Sequence, residues 1–161
     1  MFKSQPNQFL LMKHANRIID GAFSYFRIGY NCAESVLLAI AKDARKIDSD
    51  LIPKITTGFG GGISRRGYVC GAVGGAVMGF GLKYGRNNPE ELQAKTCNRV
   101  VEFYKQFQEK FGSIVCKELC GCNFSTIEGI RKFRKGNVHE QRCRYFVSGA
   151  IEIFMSLIKE N

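Results

Sequence analysis

Residues 58–84 read GFGGGISRRGYVCGAVGGAVMGFGLKY, a glycine-rich loop that leads into a glycine-rich apolar segment. The loop, residues 58–67, needs unusual backbone angles, which glycine adopts more readily than other residues. The following segment, residues 70–84, is predicted as a helix, although each glycine inside it costs up to about 1 kcal/mol relative to alanine. We expect neighbouring elements to approach the backbone of this helix closely, because close packing offsets that cost.

Two further helices are predicted before this stretch. Apolar residues recur at spacings of three and four over residues 8–26, and Gly29 ends this first helix. Asn31 is a good N-cap, and Glu34 completes a capping-box pair with it. The second helix is therefore predicted over residues 31–46.

The part of the chain after the glycine-rich stretch also favours helices. Asn88 and Pro89 predict the start of a long helix that runs to Gly112. Strict apolar alternation over the length of a strand is hard to find anywhere in the chain. The other predicted helices cover residues 51–57, a few residues around 116, 126–133 and 140–159. The sequence thus predicts an all-α fold, a compact bundle of about six to eight helices with a glycine-rich loop, in one domain of residues 1–161.

The composition is typical of a protein from a reducing compartment. Residues 1–12 lack an apolar segment long enough for a signal peptide, and the longest uncharged run, between Arg66 and Lys83, is too short to span a bilayer. The chain has seven cysteines, an odd number, and disulfides are rare where thiols are kept reduced. We expect a cytoplasmic protein without membrane insertion, whose cysteines serve redox chemistry, metal binding or hydrophobic packing.

The chain is strongly basic, with a formal net charge of +10 and a pI near 9.4. Its densest basic stretch is residues 131–144, where six lysines and arginines stand against one acid, Glu140. Such a surface attracts anions. The partner we expect is an acidic redox protein; nucleic acid is disfavoured because no recognition motif is present. A solvated basic face without a dedicated partner stays open, and so does a homo-oligomer.

Four cysteines are predicted at the beginnings of helices: Cys32, Cys70, Cys116 and Cys143. The unpaired N–H groups and positive dipole end of a helix N-terminus favour a thiolate, which lowers the pKa of cysteine from about 8.5. Thiolate is the form that attacks disulfides and ligates metals. Cys97 lies on the apolar stripe of the predicted long helix, so we expect it in the core. The alternative for the whole set is that seven cysteines meet helix ends by chance.

Motif spacing argues against several kinds of site. Cys116, Cys120 and Cys122 form a Cys-x-x-x-Cys-x-Cys pattern dense enough for ligands. The chain has no Cys-x-x-Cys, so neither a thioredoxin-type dithiol, a zinc ribbon nor covalent haem is indicated. The two histidines, His14 and His139, have no ligand-spaced histidine or serine partner for a hydrolytic triad. The glycine loop lacks the Gly-Lys-Ser/Thr of a P-loop.

The order of these motifs resembles the C-GCAxxG-C-C family of redox-active proteins, which are about this size and have four recurring cysteines. The resemblance extends over residues 29–158 and rests on NCAE at 31–34, the glycine loop at 58–62, CGAVGG at 70–75, FGS at 111–113 before Cys116, STIEG at 125–129, and Cys143. A similar domain occurs in split-Soret cytochromes, where cysteines of this kind are associated with an iron–sulfur site. This chain lacks a haem motif, so the resemblance does not imply haem.

By this resemblance, the four family cysteines correspond to Cys32, Cys70, Cys116 and Cys143. The resemblance implies that they bind an iron–sulfur cluster, since four thiolates are the usual ligand set. Backbone N–H groups of the glycine-rich segments would approach the sulfurs and tune the potential of the cluster. The residues expected in this role are Gly60, Gly61, Gly62 and Gly71. Cys120 and Cys122 either replace Cys116 or assist it.

Three functions follow as hypotheses. The leading one is a redox protein that binds an iron–sulfur cluster and transfers electrons. The second is a thiol–disulfide oxidoreductase in which a low-pKa cysteine, Cys70, attacks a disulfide and another cysteine resolves it. The third is a basic nucleic-acid-binding module that uses residues 131–144. A shared cluster requires the fold to bring the four cysteines to one shielded pocket beside residues 58–62, with Cys97 outside it.

Overall fold

The computed structural model describes residues 6–158, with the side chains of 6–9 and 11 excepted. Within this part of the chain, eight α-helices and two π-helical turns account for most residues, and no strand is present. The helices are α1 (Pro6–Arg27), α2 (Cys32–Ala39), α3 (Leu51–Thr56), α4 (Gly71–Tyr84), α5 (Ala94–Phe111), α6 (Cys116–Cys120), α7 (Ile127–Lys135) and α8 (Arg144–Leu157). The π-helical turns follow α2 (Ile40–Ala44) and precede α8 (His139–Cys143). The predicted all-α bundle is confirmed. Over the described residues, none of the helices combines the length and the apolar character needed to cross a bilayer.

Capping residues place several helix ends where the sequence predicts them. The side-chain oxygen of Asn31 accepts hydrogen bonds from two first-turn N–H groups of α2 at 2.9 and 3.1 Å, and Glu34 accepts one from the Asn31 N–H at 2.8 Å. Thr126 caps α7, where its hydroxyl accepts from the N–H of Gly129 at 3.0 Å. Gly112 ends α5 with a φ of +82°.

One predicted helix beginning is wrong, and one cysteine lies deeper in its helix than predicted. Asn88 does not start α5, because its side chain closes a turn with Glu91: it accepts from the Glu91 N–H at 3.2 Å and donates to the Glu91 carboxylate at 2.8 Å. The helix begins instead at Ala94. The last helical stretch starts with the π-helical turn at His139, so Cys143 lies beyond its first turn. The predicted end of this helix, at residue 159, lies outside the described residues.

Helices α2 and α4 pack against each other with little space between their backbones. A Cβ atom at Gly75 would lie 2.8 Å from the carbonyl oxygen of Ala33 and 2.9 Å from Cβ of Val36. Real Cβ atoms do not approach other atoms so closely, so α2 leaves room for glycine alone at this position. The predicted close approach to the glycine-rich helix is therefore confirmed.

A row of aromatic rings joins α4, α5 and α8 in the core. The ring of Phe80 lies 5.7 Å from that of Phe103 and 4.7 Å from that of Phe154, measured between centroids. The row continues along α5 to Phe111, whose ring meets that of Phe146 edge-on at 5.3 Å. Tilted and edge-on pairs of this kind add to the stabilisation from buried area. They fix α8 against the pair formed by α4 and α5.

We predict that Gly75→Ala lowers the free energy of unfolding by about 1 to 3 kcal/mol, because the added methyl group must displace the backbone of α2. Gly81 lies in the same helix, and a Cβ atom there would meet nothing within 4 Å. Gly81→Ala is therefore the matched control, expected to gain roughly 0.5 to 1 kcal/mol through helix propensity. Urea unfolding followed by circular dichroism measures both changes. Equal effects of the two substitutions would contradict the close contact.

Candidate functional site

Five cysteines line one cavity of about 820 Å³. Cys32 begins α2, Cys70 immediately precedes α4, Cys116 and Cys120 are the first and last residues of α6, and Cys143 ends the π-helical turn before α8. Two residues of the glycine loop, at positions 60 and 61, line the same cavity. The fold therefore brings the four sequence-predicted cysteines to one place beside the glycine loop, together with a fifth.

A short antiparallel pairing of backbone segments fixes Cys70 relative to Cys116. The N–H of Cys70 donates to the carbonyl of Ile114 at 2.8 Å, and the N–H of Cys116 donates to the carbonyl of Tyr68 at 2.6 Å. Between these two bonds lies the isolated bridge of residues 69 and 115. Because α4 and α6 both begin at this pairing, their first turns open on the same side of the molecule.

Glycine at position 71 allows the beginnings of α2 and α4 to touch. A Cβ atom at Gly71 would lie 2.6 Å from the sulfur of Cys32 and 3.1 Å from the backbone nitrogen of Ala33. This contact brings the thiols of Cys32 and Cys70 within hydrogen-bonding distance of each other. Gly71 thus packs behind a cysteine and does not itself face the cavity.

The glycine loop makes a left-handed turn. Five consecutive residues, 61–65, have φ between +48° and +70°, and three of them are not glycine. Each of those three costs about 1 to 2 kcal/mol in this conformation. Hydrogen bonds across the loop hold it, from the N–H of Ser64 to the carbonyl of Gly58 at 2.8 Å and from that of Tyr68 to Gly62 at 3.0 Å. Strain of this kind persists only where the surroundings over-determine it, and it is concentrated at functional sites.

The left-handed turn packs directly on one of the site cysteines. A Cβ atom at Gly62 would lie 2.6 Å from Cβ of Cys116 and 2.6 Å from the backbone nitrogen of Tyr68. Its φ of +70° is also one that side chains with a Cβ rarely adopt. Gly62 is therefore required twice, by its backbone angle and by the position of Cys116.

The neighbours of Cys32 favour its thiolate form. A hydrogen bond from the Cys70 thiol lowers the pKa of Cys32 to about 7, against the opposing effect of burial, and the backbone N–H groups of Gly61, Cys32 and Ala33 act in the same direction. Donation to Cys32 and burial raise the pKa of Cys70 well above its usual range. Gly61 is the loop residue whose N–H group acts on the pKa of a site cysteine.

A second pair of thiols lies across α6. A hydrogen bond from Cys116 lowers the pKa of Cys120 to about 6, while the same bond and burial raise the pKa of Cys116. Cys122 is buried but does not line the cavity. Burial, followed by the negative charge of Cys120, raises its pKa. Of the two additional cysteines, Cys120 therefore belongs to the site wall; the four-residue spacing from Cys116 was the signal for it.

The expectation that every helix beginning lowers the pKa of its cysteine is wrong. Burial raises the pKa of Cys143, and the negative charge of Cys32 acts in the same direction. Cys70 also has a raised pKa, so Cys70 is not a low-pKa cysteine of this site; the lowered pKa values belong to Cys32 and Cys120. For Cys70 the largest cause is its hydrogen bond to Cys32, and for Cys143 it is burial; both outweigh the expected effect of a helix beginning.

The expected core position of Cys97 is also wrong. Cys97 is exposed, whereas Phe103 and Phe107 of the same helix are fully buried. These two aromatic side chains set the inward face of α5, and the helical register then turns residue 97 to the surface. Cys97 lies outside the cavity, as expected for a cysteine that does not belong to the site.

The remaining cavity wall is aromatic in one part and cationic in another, and sequence reasoning missed both. The rings of Phe124 and Phe133 meet edge-on at 5.1 Å, and the imidazole of His139 stacks on Phe26 at 3.7 Å. The sequence feature that could have indicated this wall is α7, where apolar and basic residues alternate with a helical period. Arginine side chains that line the cavity are Arg65, Arg66 and Arg134.

Part of the basic stretch at residues 131–144 makes contacts within the molecule, two of them to residues next to or in the site. Lys132 donates to the carbonyl of Gly121 at 2.8 Å, and Arg142 donates to the carbonyl of Cys120 at 3.3 Å. Arg144 lies over an aromatic ring of α1, 4.3 Å from its centroid. Three of the six basic side chains therefore have intramolecular partners, which weakens the interpretation of this stretch as a continuous nucleic-acid surface.

The donor chemistry of the cavity fits a soft metal group. Its thiols are preferred ligands of iron–sulfur clusters. The carboxylate of Glu34 also lines the cavity, but it already accepts hydrogen bonds from the Asn31 N–H and from the Thr57 hydroxyl, the latter at 2.6 Å. Across residues 6–158, no three histidine, cysteine or acidic side chains converge tightly enough for a single metal ion.

In the metal-free protein, Cys70→Ala should raise the pKa of Cys32, because it removes the hydrogen bond that lowers this pKa most. Cys70→Ser retains a donor and should leave the pKa of Cys32 near 7. Alkylation of the Cys32 peptide by iodoacetamide, followed by mass spectrometry from about pH 5 to about pH 10, reports the thiolate fraction. The exposed Cys97 serves as the internal reference. Identical Cys32 profiles in the two variants would contradict the assigned hydrogen bond.

Comparison with known proteins identifies a family that covers most of the chain. Residues 30–157 match the model of the family described as "Putative redox-active protein (C_GCAxxG_C_C)". A protein of Archaeoglobus fulgidus, named as an uncharacterized protein, is 28% identical over 139 residues, which cover 81% of this chain and 85% of that protein. No solved structure matches the chain. Because the family model spans well over half of the sequence, including all five cysteines of the cavity, the chain belongs to the C-GCAxxG-C-C family.

Proposed function

We propose that this protein is a redox protein that binds an iron–sulfur cluster and transfers electrons through it. The proposed cluster ligands are Cys32, Cys70, Cys116 and Cys143. The observation that carries the proposal is the convergence of these four thiols, from four separate parts of the chain, on one cavity. Four thiolates are the usual ligand set of such clusters. The family match supports a redox role for the same cysteines.

The protein environment would serve each ligand in a different way. The Gly61 N–H group donates to the sulfur of Cys32, and hydrogen bonds of this kind tune the potential of a bound cluster. Cys143 is half-buried with a raised pKa, so its deprotonation must be driven by metal binding. A bound cluster supplies one-electron transfer. Cys120 is the alternative to Cys116, because both sulfurs line the cavity and hydrogen-bond to each other.

An acidic redox protein remains the proposed partner. Arg131 and Lys135 are exposed on α7, the helix that also contributes to the cavity wall. A basic face beside a redox centre would orient an acidic partner during encounter and raise the rate of association. We therefore place the partner surface on the exposed side of α7.

A second candidate function is favoured by the pairing of thiols. Cys32 and Cys70 hydrogen-bond to each other, with the lower pKa at Cys32. The Cys32 thiolate would attack a substrate disulfide and release one substrate thiolate; Cys70, after losing its proton to solvent, would then attack the mixed disulfide and release the other. The products are a Cys32–Cys70 disulfide and two substrate thiols. This candidate uses the two sulfurs that the cluster also requires, so both cannot operate in the same molecule at once.

We predict that anaerobically purified protein contains iron and acid-labile sulfide, and that alanine at Cys32, Cys70 or Cys143 removes most of both. Each substitution deletes a thiolate ligand from the cavity, while the helical circular-dichroism signal should largely survive. The controls are Cys97→Ser and Cys122→Ala, since neither residue lines the cavity. Cys97 is exposed, so its replacement should change the free energy of unfolding by no more than about 0.5 kcal/mol.

The same preparation separates the two candidates. Iron-free, colourless protein that reduces a small disulfide and accumulates a Cys32–Cys70 disulfide would reject the cluster in favour of thiol exchange. Loss of iron in Cys97→Ser equal to that in Cys143→Ala would contradict the assignment of the cavity as the metal site.

A further inference from the structure

The cavity is larger than a metal centre needs, and many of its lining side chains are not metal ligands. Its volume of about 820 Å³ lies within the range of small-molecule sites, which is roughly 300 to 1,000 Å³. The thiols occupy only part of the wall. The other side chains that line it are mainly aromatic or apolar residues and arginines. Convergent charged groups beside apolar surface are the usual composition of a ligand pocket.

The arginines give this cavity an uncompensated positive charge. Arg65 and Arg66 come from the end of the left-handed turn, and Arg134 comes from α7. Among the described residues, no carboxylate forms an ion pair with any of the three. Glu34 is the one acid of the described chain that lines the cavity, and its carboxylate is already held by hydrogen bonds at 2.8 and 2.6 Å. Three arginines, all exposed, therefore line the cavity beside one carboxylate that is already hydrogen-bonded.

Guanidinium groups at this position select for particular chemistry. They present planar, paired donors that match carboxylate and phosphate groups, and they stay charged at any physiological pH. Burial lowers the pKa of His139, so its ring adds mainly flat apolar surface at neutral pH. Together with Phe124 and Phe133, it forms an aromatic wall in the same cavity as the arginines.

We propose that this cavity binds a small organic anion beside the thiols. Its phosphate or carboxylate group is held by Arg65, Arg66 and Arg134, and its apolar part packs on Phe124 and Phe133. The inference rests on the proposed function only in that the bound molecule would lie beside the redox site. Binding itself follows from the walls of the cavity and does not require a cluster.

The direct test is calorimetric titration of the full-length protein, kept reduced and anaerobic, with phenyl phosphate and with benzoate. Inorganic phosphate and phenol are the matched probes, since each carries only half of the recognised chemistry. At least one of the two aromatic anions should bind about tenfold or more tightly than either matched probe. The stronger of the two identifies the anionic group that the site prefers. No binding of either aromatic anion, or binding no tighter than that of inorganic phosphate, overturns the proposal.

A pair of variants locates the binding. Arg134→Gln should weaken binding of the preferred aromatic anion about tenfold, whereas Arg131→Gln, on the same helix but outside the cavity, should change it less than about twofold. Arg66→Gln provides a second cavity variant if Arg134→Gln disturbs α7. Equal losses in Arg131→Gln and Arg134→Gln would mean general attraction to a basic surface and would reject the site.

Two readouts keep this inference separate from the cluster. The bound anion should slow alkylation of Cys32 and leave alkylation of the exposed Cys97 unchanged, in protein without iron. Titration of the iron-free protein should detect binding of the anion, and so should titration of the iron-containing protein. Anion binding without iron in any preparation supports this inference while rejecting the cluster. Iron without anion binding rejects this inference and leaves the cluster intact.

Discussion

The contact between the first turns of α2 and α4 is the constraint on which the site depends. At Gly71 and Gly75 the two helices approach so closely that an added Cβ atom would lie 2.6 Å from the sulfur of Cys32 and 2.8 Å from a backbone carbonyl of α2. Each glycine inside a helix costs up to about 1 kcal/mol in propensity, and α4 contains several. In return, the first turns of α2 and α4 lie so close that the Cys70 thiol donates a hydrogen bond to Cys32.

The left-handed turn extends this arrangement to the third site cysteine. Its strained residues, 63–65, are held because the turn is fixed from both sides. On one side the Gly61 N–H donates to Cys32; on the other, Gly62 packs on Cys116. The pairing of residues 69 and 115 then ties α6 to the start of α4. The strained turn and the grouping of the cysteines therefore depend on each other. Relaxing the turn would remove the hydrogen bond from Gly61 to Cys32 and the packing of Gly62 on Cys116.

Features that depend on neighbours in the chain could be predicted from the sequence, and those that depend on tertiary contacts could not. The cap at Asn31, and with it the place of Cys32 at a helix beginning, follows from four consecutive residues. The exposure of Cys97 does not, because distant packing decides which face of α5 turns inward. The left-handed conformation of residues 63–65 runs against local preference, so no propensity indicates it. The raised pKa of Cys70 arises from a sulfur that is remote in sequence. The fold class and the group of cysteines were thus accessible, but the protonation of the site was not.

The proton shared by Cys32 and Cys70 links the two candidate redox functions. The hydrogen bond between the two groups lowers the pKa of Cys32 and raises that of Cys70, so it favours one thiolate beside one thiol. A cluster needs both sulfurs deprotonated, so its binding must expel that proton and becomes less favourable as the pH falls. A disulfide removes both sulfurs as ligands. Under the two proposed functions, the pair would serve metal binding or disulfide chemistry, but not both at once. Arg65, Arg66 and Arg134 line the same cavity, so the charge of an approaching molecule would affect its entry.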